Sequence, residues 1–498
     1  KSPVVDELMS SSEYLESLRD DRAVYLYGEA VKDVTVHPAF RNSARSIARL
    51  YDALHKAELS DLLTTVDRFG IRTHRFFAPS YSAEELLAAR DAIAAWARLT
   101  YGFMGRTPDY KAAFMATLGA NPEFYAPFEE NARRWYRRFA SKVLYLNHVL
   151  INPPVDRMKP VHEIADVFLH VVRETDAGAI VSGAKMLATG SALTNATFVA
   201  QNSATTLQEG KAEDYALVFI APMDTRGTKL LCRPSYEQSA RSPFDHPLSS
   251  RFDENDAVLV FDEALIPWEN FLVYRNVERA NSFFPESGFF NRYNLQGGTR
   301  LAVKLDLMTG LLARGLAVNG TDGFRGVQAA LGDVVAWRTL MWAMTAALAS
   351  DPQPGPGGSV MPRLEYAATM RIFATSAWPA VKNIMENVLG GAPLVTTSGR
   401  EDLLNPDLRP LIDRYYRGTN ATAQERIKLF KLIWDTIGTE FAGRHELYER
   451  NYAGNHEQIR VDAVNFARRS GALDQCLKLV DECLADYDVD GWVNKTWV

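Results

Sequence analysis

The sequence predicts an α+β protein built in three zones, helical, then β, then helical. Three observations carry that reading: helical apolar spacing with capping signals up to residue 143, short β-branched runs between turn clusters over 144–272, and renewed helical spacing over 273–498. A chain of 498 residues exceeds one simple core and fits about two to four structural units.

In the first zone, 1–143, Ser82 with Glu85 three residues on forms a capping-box pattern, and Leu86, Ile93 and Trp96 follow at helical spacing. A second helix start stands at Thr107-Pro108-Asp109-Tyr110. Thr107 is suited to cap it, Pro108 suits the first helical position, and Gly119 reads as the stop. The central zone, 144–272, holds β-rich runs at 179–182, 197–200, 216–221, 229–232 and 258–261, separated by Gly, Asp, Asn and Pro clusters. They predict a small barrel or sandwich. In the third zone, 273–498, Ile427, Phe430, Trp434, Ile437 and Phe441 mark one apolar helical face. The stretch DPQPGPGGSVMPR (351–363) reads as a loop between helices. No internal repeat or low-complexity tract interrupts the chain.

Composition narrows the function classes. The chain is 47% hydrophobic and 23% charged with net charge −6, which favours neither nucleic acid nor an anionic membrane. Cys232, Cys476 and Cys483 make no CxxC pair, so a reducing compartment is expected. The first residues lack a signal pattern, and the longest apolar stretch, around 340–349, is too short for a bilayer. A soluble cytoplasmic protein is the expectation. GxGxxG after a strand, a Walker P-loop, HExxH and GxSxG are all missing, and GPGGSV lacks the third glycine. His162 and His170 have no third group at ligand spacing, so no metal is expected.

Three segments carry candidate chemistry. In GFMGRTPDY (102–110), Arg106 and Tyr110 stand at a helix start, whose positive end favours anions such as a phenolate. In NHVLINPPVDR (147–157), His148 sits at the helix-to-β transition and titrates in the range needed to take a phenolic proton. SGAKMLATGSALTN (182–195) reads as a β-hairpin whose Thr189 is able to present a donor to a flavin edge. On the residues alone each segment has a plainer reading: a solvated helix start, a satisfied core histidine, a simple turn.

Gly183, Lys185 and Thr189, in the pattern GxKxxxT, resemble the flavin-contacting hairpin of the acyl-CoA dehydrogenase fold, whose helical, β, helical order agrees with the three zones. More specifically, the chain resembles the oxygenase-component family of 4-hydroxyphenylacetate 3-monooxygenase, nearly end to end. The co-linear series is HPAF (37–40), ARLYD (48–52), GRTPDY (105–110), HVLINPPVDR (148–157), SPFDHPLSSR (242–251), IPWEN (266–270) and GRHELYERNYAG (443–454). It is similar to the actinobacterial branch that acts on tyrosine-like and cinnamate-like phenols in natural-product pathways.

That resemblance implies an N-terminal helical domain, a central β domain and a C-terminal helical bundle. It implies substrate contacts on Arg106 and Tyr110 and an active-site histidine at His148. Flavin contacts are implied at His148, Val149, Leu150, Pro154, Arg157, Thr189, Tyr448, Glu449, Arg450 and Asn451, with Leu187 standing where the family often has threonine. The segment AQNSATTLQEG (200–210) also departs from the family's usual sequence. The implied chemistry is ortho-hydroxylation of a 4-hydroxyphenyl substrate through a flavin C4a-hydroperoxide, with FADH2 from a separate reductase and O2. The phenol is free or tethered to a carrier protein, and the assembly is a homotetramer. An acyl-CoA dehydrogenase-like flavin oxidase is the alternative, but no catalytic carboxylate stands out for it. A dehydratase with a cysteine-held cluster has no cysteine near Arg106. A non-catalytic helical scaffold or flavin carrier is the reading from another class.

Overall fold

Residues flanking each helix set its limits. The computed structural model describes residues 2–202, 205–494 and 496–497; residues 203 and 204 of the 200–210 segment lie outside them. Helix α1 (Ala83–Arg98) starts at Ser82, whose hydroxyl accepts from the Glu85 amide at 3.1 Å. The Glu85 carboxylate reaches past this cap to the Tyr81 amide, 2.7 Å away, so the box closes one residue early. Helix α2 (Pro108–Ala120) opens with Pro108 in its first turn. The Thr107 hydroxyl turns to the Asp109 carboxylate rather than to a backbone amide. Gly119 does not stop this helix, which ends at Asn121. It provides clearance instead: a Cβ there would lie 2.8 Å from the ring of Tyr136 on α3 (Glu129–Lys142).

The first zone is not wholly helical, because β1 (Val24–Leu26) and β2 (Glu29–Val31) join the central sheets. The other strands of these two sheets are β3 (Leu146–Val149), β4 (His170–Glu174), β5 (Gly178–Leu187), β6 (Ala196–Val199), β7 (Leu217–Pro222), β8 (Thr228–Cys232), β9 (Ala257–Pro267) and β10 (Phe271–Tyr274). All five predicted runs fall on strands. One sheet has the order β2-β1-β8-β9-β5-β4 and the other β10-β7-β6-β3. Phe219 of β7 meets Phe261 of β9 at 5.8 Å between ring centres, so the sheets pack face to face as a sandwich. Between them, Lys185 of β5 donates to the Ala200 carbonyl at 3.1 Å. The hairpin expected over 182–195 is a crossover. β5 belongs to the larger sheet, and after a short turn at Ser191–Leu193 the chain enters β6 of the smaller one. Turn residues mark a reversal without saying which strand receives the chain.

The third zone is a bundle of α4 (Val277–Glu286), α5 (Phe289–Asn319), α6 (Arg325–Ser350), α7 (Leu364–Leu389), α8 (Ala423–Ile437), α9 (Glu440–Asn451), α10 (His456–Ser470) and α11 (Ala472–Leu484). Helix α5 is buried on every side over 289–305, the mark of a central helix. The 351–363 stretch is a loop between α6 and α7, pinned by a two-residue strand pair. Ile427, Phe430, Ile437 and Phe441 are buried as the apolar face predicts, whereas Trp434 is 37% exposed. Among the described residues no helix is long and apolar enough to cross a membrane, and the three cysteines are free.

Candidate active site

Gly105 begins the site because a side chain there is impossible: a Cβ would lie 2.2 Å from the Tyr448 hydroxyl. The Glu254 carboxylate accepts from the Gly105 and Arg106 amides, both at 2.7 Å. This corrects the expectation that the helix start itself attracts an external anion, since the chain's own carboxylate holds that position. What remains free is the Arg106 side chain. Its guanidinium lies 3.8 Å from the Tyr110 ring centre and 5.1 Å from that of Tyr448. Arg106 is only 6% exposed, Nη1 has no hydrogen-bond partner, and no carboxylate lies within ion-pair distance among the described residues. An unpaired buried cation is costly, and an arriving anion offsets that cost.

Arg106 and Tyr110 line a cavity of about 330 Å³ between α2, the ends of β3 and β5, and helices α4, α5 and α9. His148 forms part of its wall. The imidazole stacks on Tyr110 at 5.6 Å and tilts against Phe114 at 5.4 Å. Nδ1 is buried without a partner. Burial first, then the charges of Lys111 and Arg106, hold His148 well below its ordinary value of 6.5. The imidazole is therefore neutral, with a lone pair available to a proton. Burial also raises the Tyr110 hydroxyl, against the pull of Arg106, so Tyr110 remains a donor. Phe289 stacks on Phe114 at 3.8 Å and on Tyr293 at 4.8 Å, giving an aromatic inner wall suited to a flat ring.

The rim differs in kind. Leu187 and Leu447 are 50% and 61% exposed and stand at the opening with Thr189 and Asn451. Thr189 donates to Asp256 at 2.7 Å, so its proton is engaged and its oxygen is left as an acceptor. Asp256 also receives Arg444 at 2.9 and 3.0 Å and Arg233 at 2.9 Å. Burial raises this carboxyl, but the two guanidiniums outweigh it and hold it well below the usual carboxylate range. Arg371 is similarly committed, to the Ala453 carbonyl and to Asp462. Arg106 is thus the lining cation without a carboxylate partner among the described residues.

Of the residues singled out from sequence, Arg106, Tyr110, His148, Leu150, Leu187, Thr189, Tyr448 and Asn451 line this one cavity. Val149 is buried in β3 beside it. Glu449 turns away, its carboxylate held by Arg300 at 2.6 Å and Lys304 at 3.3 Å inside the bundle. Arg450 pairs with Glu446 on the outer surface. Pro154 and Arg157 are exposed on the loop after β3, outside the cavity lining. Helical phase accounts for Glu449 and Arg450: α9 turns the stripe of Arg444, Leu447, Tyr448 and Asn451 to the cavity, and Glu449 and Arg450 fall outside it. Sequence reasoning missed Lys111, Glu254, Asp256, Tyr293 and Arg371. Lys111 alone left a signal, a charge inside the otherwise apolar run of α2.

Family comparison agrees with this geometry. Residues 10–273 match the model described as 4-hydroxyphenylacetate 3-hydroxylase N terminal, and 280–481 match its C-terminal counterpart. The chain is 58% identical to the pyoverdin chromophore biosynthetic protein PvcC of Pseudomonas aeruginosa, covering 99% of both. It is 49% identical to the (3S)-3-amino-3-(3-chloro-4-hydroxyphenyl)propanoyl-[peptidyl-carrier protein SgcC2] monooxygenase of Streptomyces globisporus, covering 97% of this chain and 92% of that one. Among solved structures, the oxygenase component of 4-hydroxyphenylacetate 3-monooxygenase complexed with FAD and 4-hydroxyphenylacetate superposes with a TM-score of 0.90 at 29% identity. That match covers 96% of this chain and 99% of the other, and the acyl-CoA dehydrogenase-like arrangement is shared.

Proposed function

The chain belongs to the 4-hydroxyphenylacetate 3-hydroxylase family and is a flavin-dependent aromatic monooxygenase, and on that premise we propose that it is the oxygenase component of a two-component system that hydroxylates a 4-hydroxyphenyl substrate ortho to its hydroxyl. The observation that carries this reading is the buried, unpaired guanidinium of Arg106 beside the unpartnered His148. Arg106 and Tyr110 hold the phenolic oxygen and stabilise its charge. His148 takes the phenolic proton at Nε2, because an electron-rich phenolate is the better nucleophile. The rim fits a flavin: Leu150, Leu187 and Leu447 offer apolar contact, Thr189 and Asn451 offer polar edges, and Asp256 is neutralised by two arginines. Reduced FAD, with oxygen, supplies the electrophilic oxygen atom. The aromatic inner wall keeps water from the reacting oxygen.

A separate flavin reductase delivers the reduced cofactor. The phenol is free or bound to a carrier protein, and the open rim leaves room for a tethered substrate. Val149 supports the flavin wall from behind, Tyr448 packs against Arg106, and Glu449 acts through Arg300 and Lys304. Pro154, Arg157 and Arg450 meet the outer parts of FAD or a neighbouring subunit. The functional units are 1–143, 144–272 and 273–498, with the strand pair at 24–31 crossing the first boundary. A homotetramer is the assembly we favour. Helix α11 has no buried residue and exposes Leu477, Leu479, Val480 and Leu484, an apolar face suited to another copy. A reducing cytoplasm suits the three free cysteines.

The test is turnover of a panel of free and carrier-bound 4-hydroxyphenyl compounds with supplied FADH2 and oxygen. Catechol formation coupled to flavin consumption is expected. Anaerobic reduction of bound FAD by the substrate would instead make the protein an oxidase. Sedimentation measures the assembly, and a fully active monomer would refute the tetramer.

A further inference from the structure

Lys111 sits where a lysine is not expected. Its neighbours Ala112, Ala113, Phe114 and Met115 are all buried, and Lys111 itself is 1% exposed. Its Nζ has no hydrogen-bond partner and, among the described residues, no carboxylate within ion-pair distance. It lies 4.2 Å from the centre of the Tyr110 ring, the ring that also carries Arg106 and His148. His148 Nδ1 is the second orphan at this place. Buried polar atoms without partners are rare, and with Arg106 Nη1 these make three around one ring, which call for a common explanation. A proton on Lys111 opposes one on His148 more strongly than Arg106 does, which ties the two groups together. It does not line the cavity, so it acts through His148 rather than on substrate.

We propose that Lys111 is the proton acceptor behind His148, forming with it a two-step relay that draws the phenolic proton out of the cavity. The phenol O–H bond breaks as the Nε2–H bond forms. The Nδ1–H bond then breaks as an N–H bond forms on Lys111 Nζ, through one bridging water, since the two atoms do not hydrogen-bond each other directly. The amine ends as an ammonium, the imidazole is neutral again, and no electrons are exchanged. After hydroxylation the same path returns the proton to the product's oxygen. The acceptor must begin uncharged. Burial, helped by Arg106 and opposed by Glu254 and Asp109, holds Lys111 well below the ordinary lysine value. Arg106 is unsuited to this task because a guanidinium does not release its proton. The groups facing Lys111 are therefore Arg106, Asp109, Tyr110, His148 and Glu254.

The inference rests on the reading that His148 handles the phenolic proton, and the tests separate the two. Lys111→Met keeps the length of the side chain without the base. With 4-hydroxyphenylacetate, whose phenolic hydroxyl is protonated at neutral pH, it should hydroxylate about 10²-fold more slowly. With 4-nitrophenol above its own ionisation, where there is no proton to remove, the rate should change by less than about threefold. Lys111→Arg installs a permanent positive charge that accepts no proton, so it should hydroxylate 4-hydroxyphenylacetate no faster than Lys111→Met. Full activity of the arginine variant, or equal losses on both phenols, would overturn the relay. His148→Ala losing rate while Lys111→Met does not would sink the relay and leave His148 standing. Normal rates in His148→Ala would sink the underlying reading. Two further measurements do not depend on variant turnover. The absorbance of bound 4-nitrophenol should show ionisation at lower pH than for the free compound in the wild-type protein, with the shift reduced in Lys111→Met. A proton inventory of the wild-type reaction should bow, as two moving protons require, and a straight line argues for a single transfer.

Discussion

The closed end of the cavity and its rim are built on opposite plans. At the closed end, Arg106, Lys111 and His148 are packed into the fold with polar atoms left unpartnered. At the rim, Thr189, Arg233 and Arg444 converge on the Asp256 carboxylate, while Leu187 and Leu447 stay open to solvent. Unmet hydrogen-bonding capacity inside a fold is a standing cost, and at the closed end it lies where a phenol would sit. The charges of the rim are paired with one another, so it offers shape rather than unpaired charge, which suits a cofactor that comes and goes. The difference teaches that binding and exchange are separated in space.

The sharpest break in that contrast is His148→Ala. Hydroxylation should fall by about 10² to 10⁴, while reduced flavin and oxygen are still consumed and hydrogen peroxide is released in place of product. Product and peroxide assays run side by side measure both. Leu447→Ala at the rim should alter flavin affinity without such uncoupling. Next comes Arg106→Ala, which should weaken phenol binding by about 1.5–3 kcal/mol, roughly 10- to 100-fold in Kd. Equilibrium binding of a phenol to the flavin-loaded protein reads this, and an unchanged Kd would remove Arg106 from the anion site.

Asp256→Asn tests the rim's self-sufficiency. It leaves Arg233 and Arg444 short of a charged partner, so stability should drop by about 1–3 kcal/mol and flavin affinity with it. Denaturant melting and flavin titration follow the two effects. pH provides a milder test of the closed end. Burial holds His148 and His445 well below their ordinary 6.5, so the unfolded chain takes protons that the folded chain refuses. Their contribution to stability is whole above about pH 6.5 and is lost as the pH falls below it. Asp109, raised by burial to about 6, takes a proton on folding and offsets part of that loss at lower pH. Melting curves across this range should therefore show stability declining on the acid side. The smallest effect belongs to Arg157→Ala, exposed outside the cavity lining, which should change stability by no more than about 0.5 kcal/mol.

How much was legible in the sequence follows from the same physics. The five runs predicted over 144–272 fall on strands because β-branched runs bounded by turn residues have few other uses, whereas β1 and β2, three residues each, are too short to show a period and were read as part of a helical zone. The crossover after Leu187 was not read correctly, because turn chemistry is local while sheet membership depends on distant partners. Arg106, Tyr110 and His148 were singled out by position and meet in one cavity. Glu254 and Asp256 were missed because a run of acidic residues before a strand looks like an ordinary solvated turn. Only their burial against Arg233 and Arg444 shows otherwise. Glu449 and Arg450 were grouped with Tyr448 by sequence neighbourhood, which a helix does not respect.

Asp256 has a consequence for how such a protein is allowed to change. Its two oxygens bind the turn after β5, the end of β8 and a residue of α9, so one carboxylate fastens three distant stretches of chain. A hybrid carrying residues 1–272 from this protein and the remainder from a relative would inherit the carboxylate with a foreign partner for one of its bonds. Where the relative lacks an arginine at the position of Arg444, the mouth of the cavity would be left hanging from two anchors instead of three. Exchange of segments should therefore succeed or fail on this single position well before overall similarity decides it, and drift in the helix is tethered to drift in the strand turn.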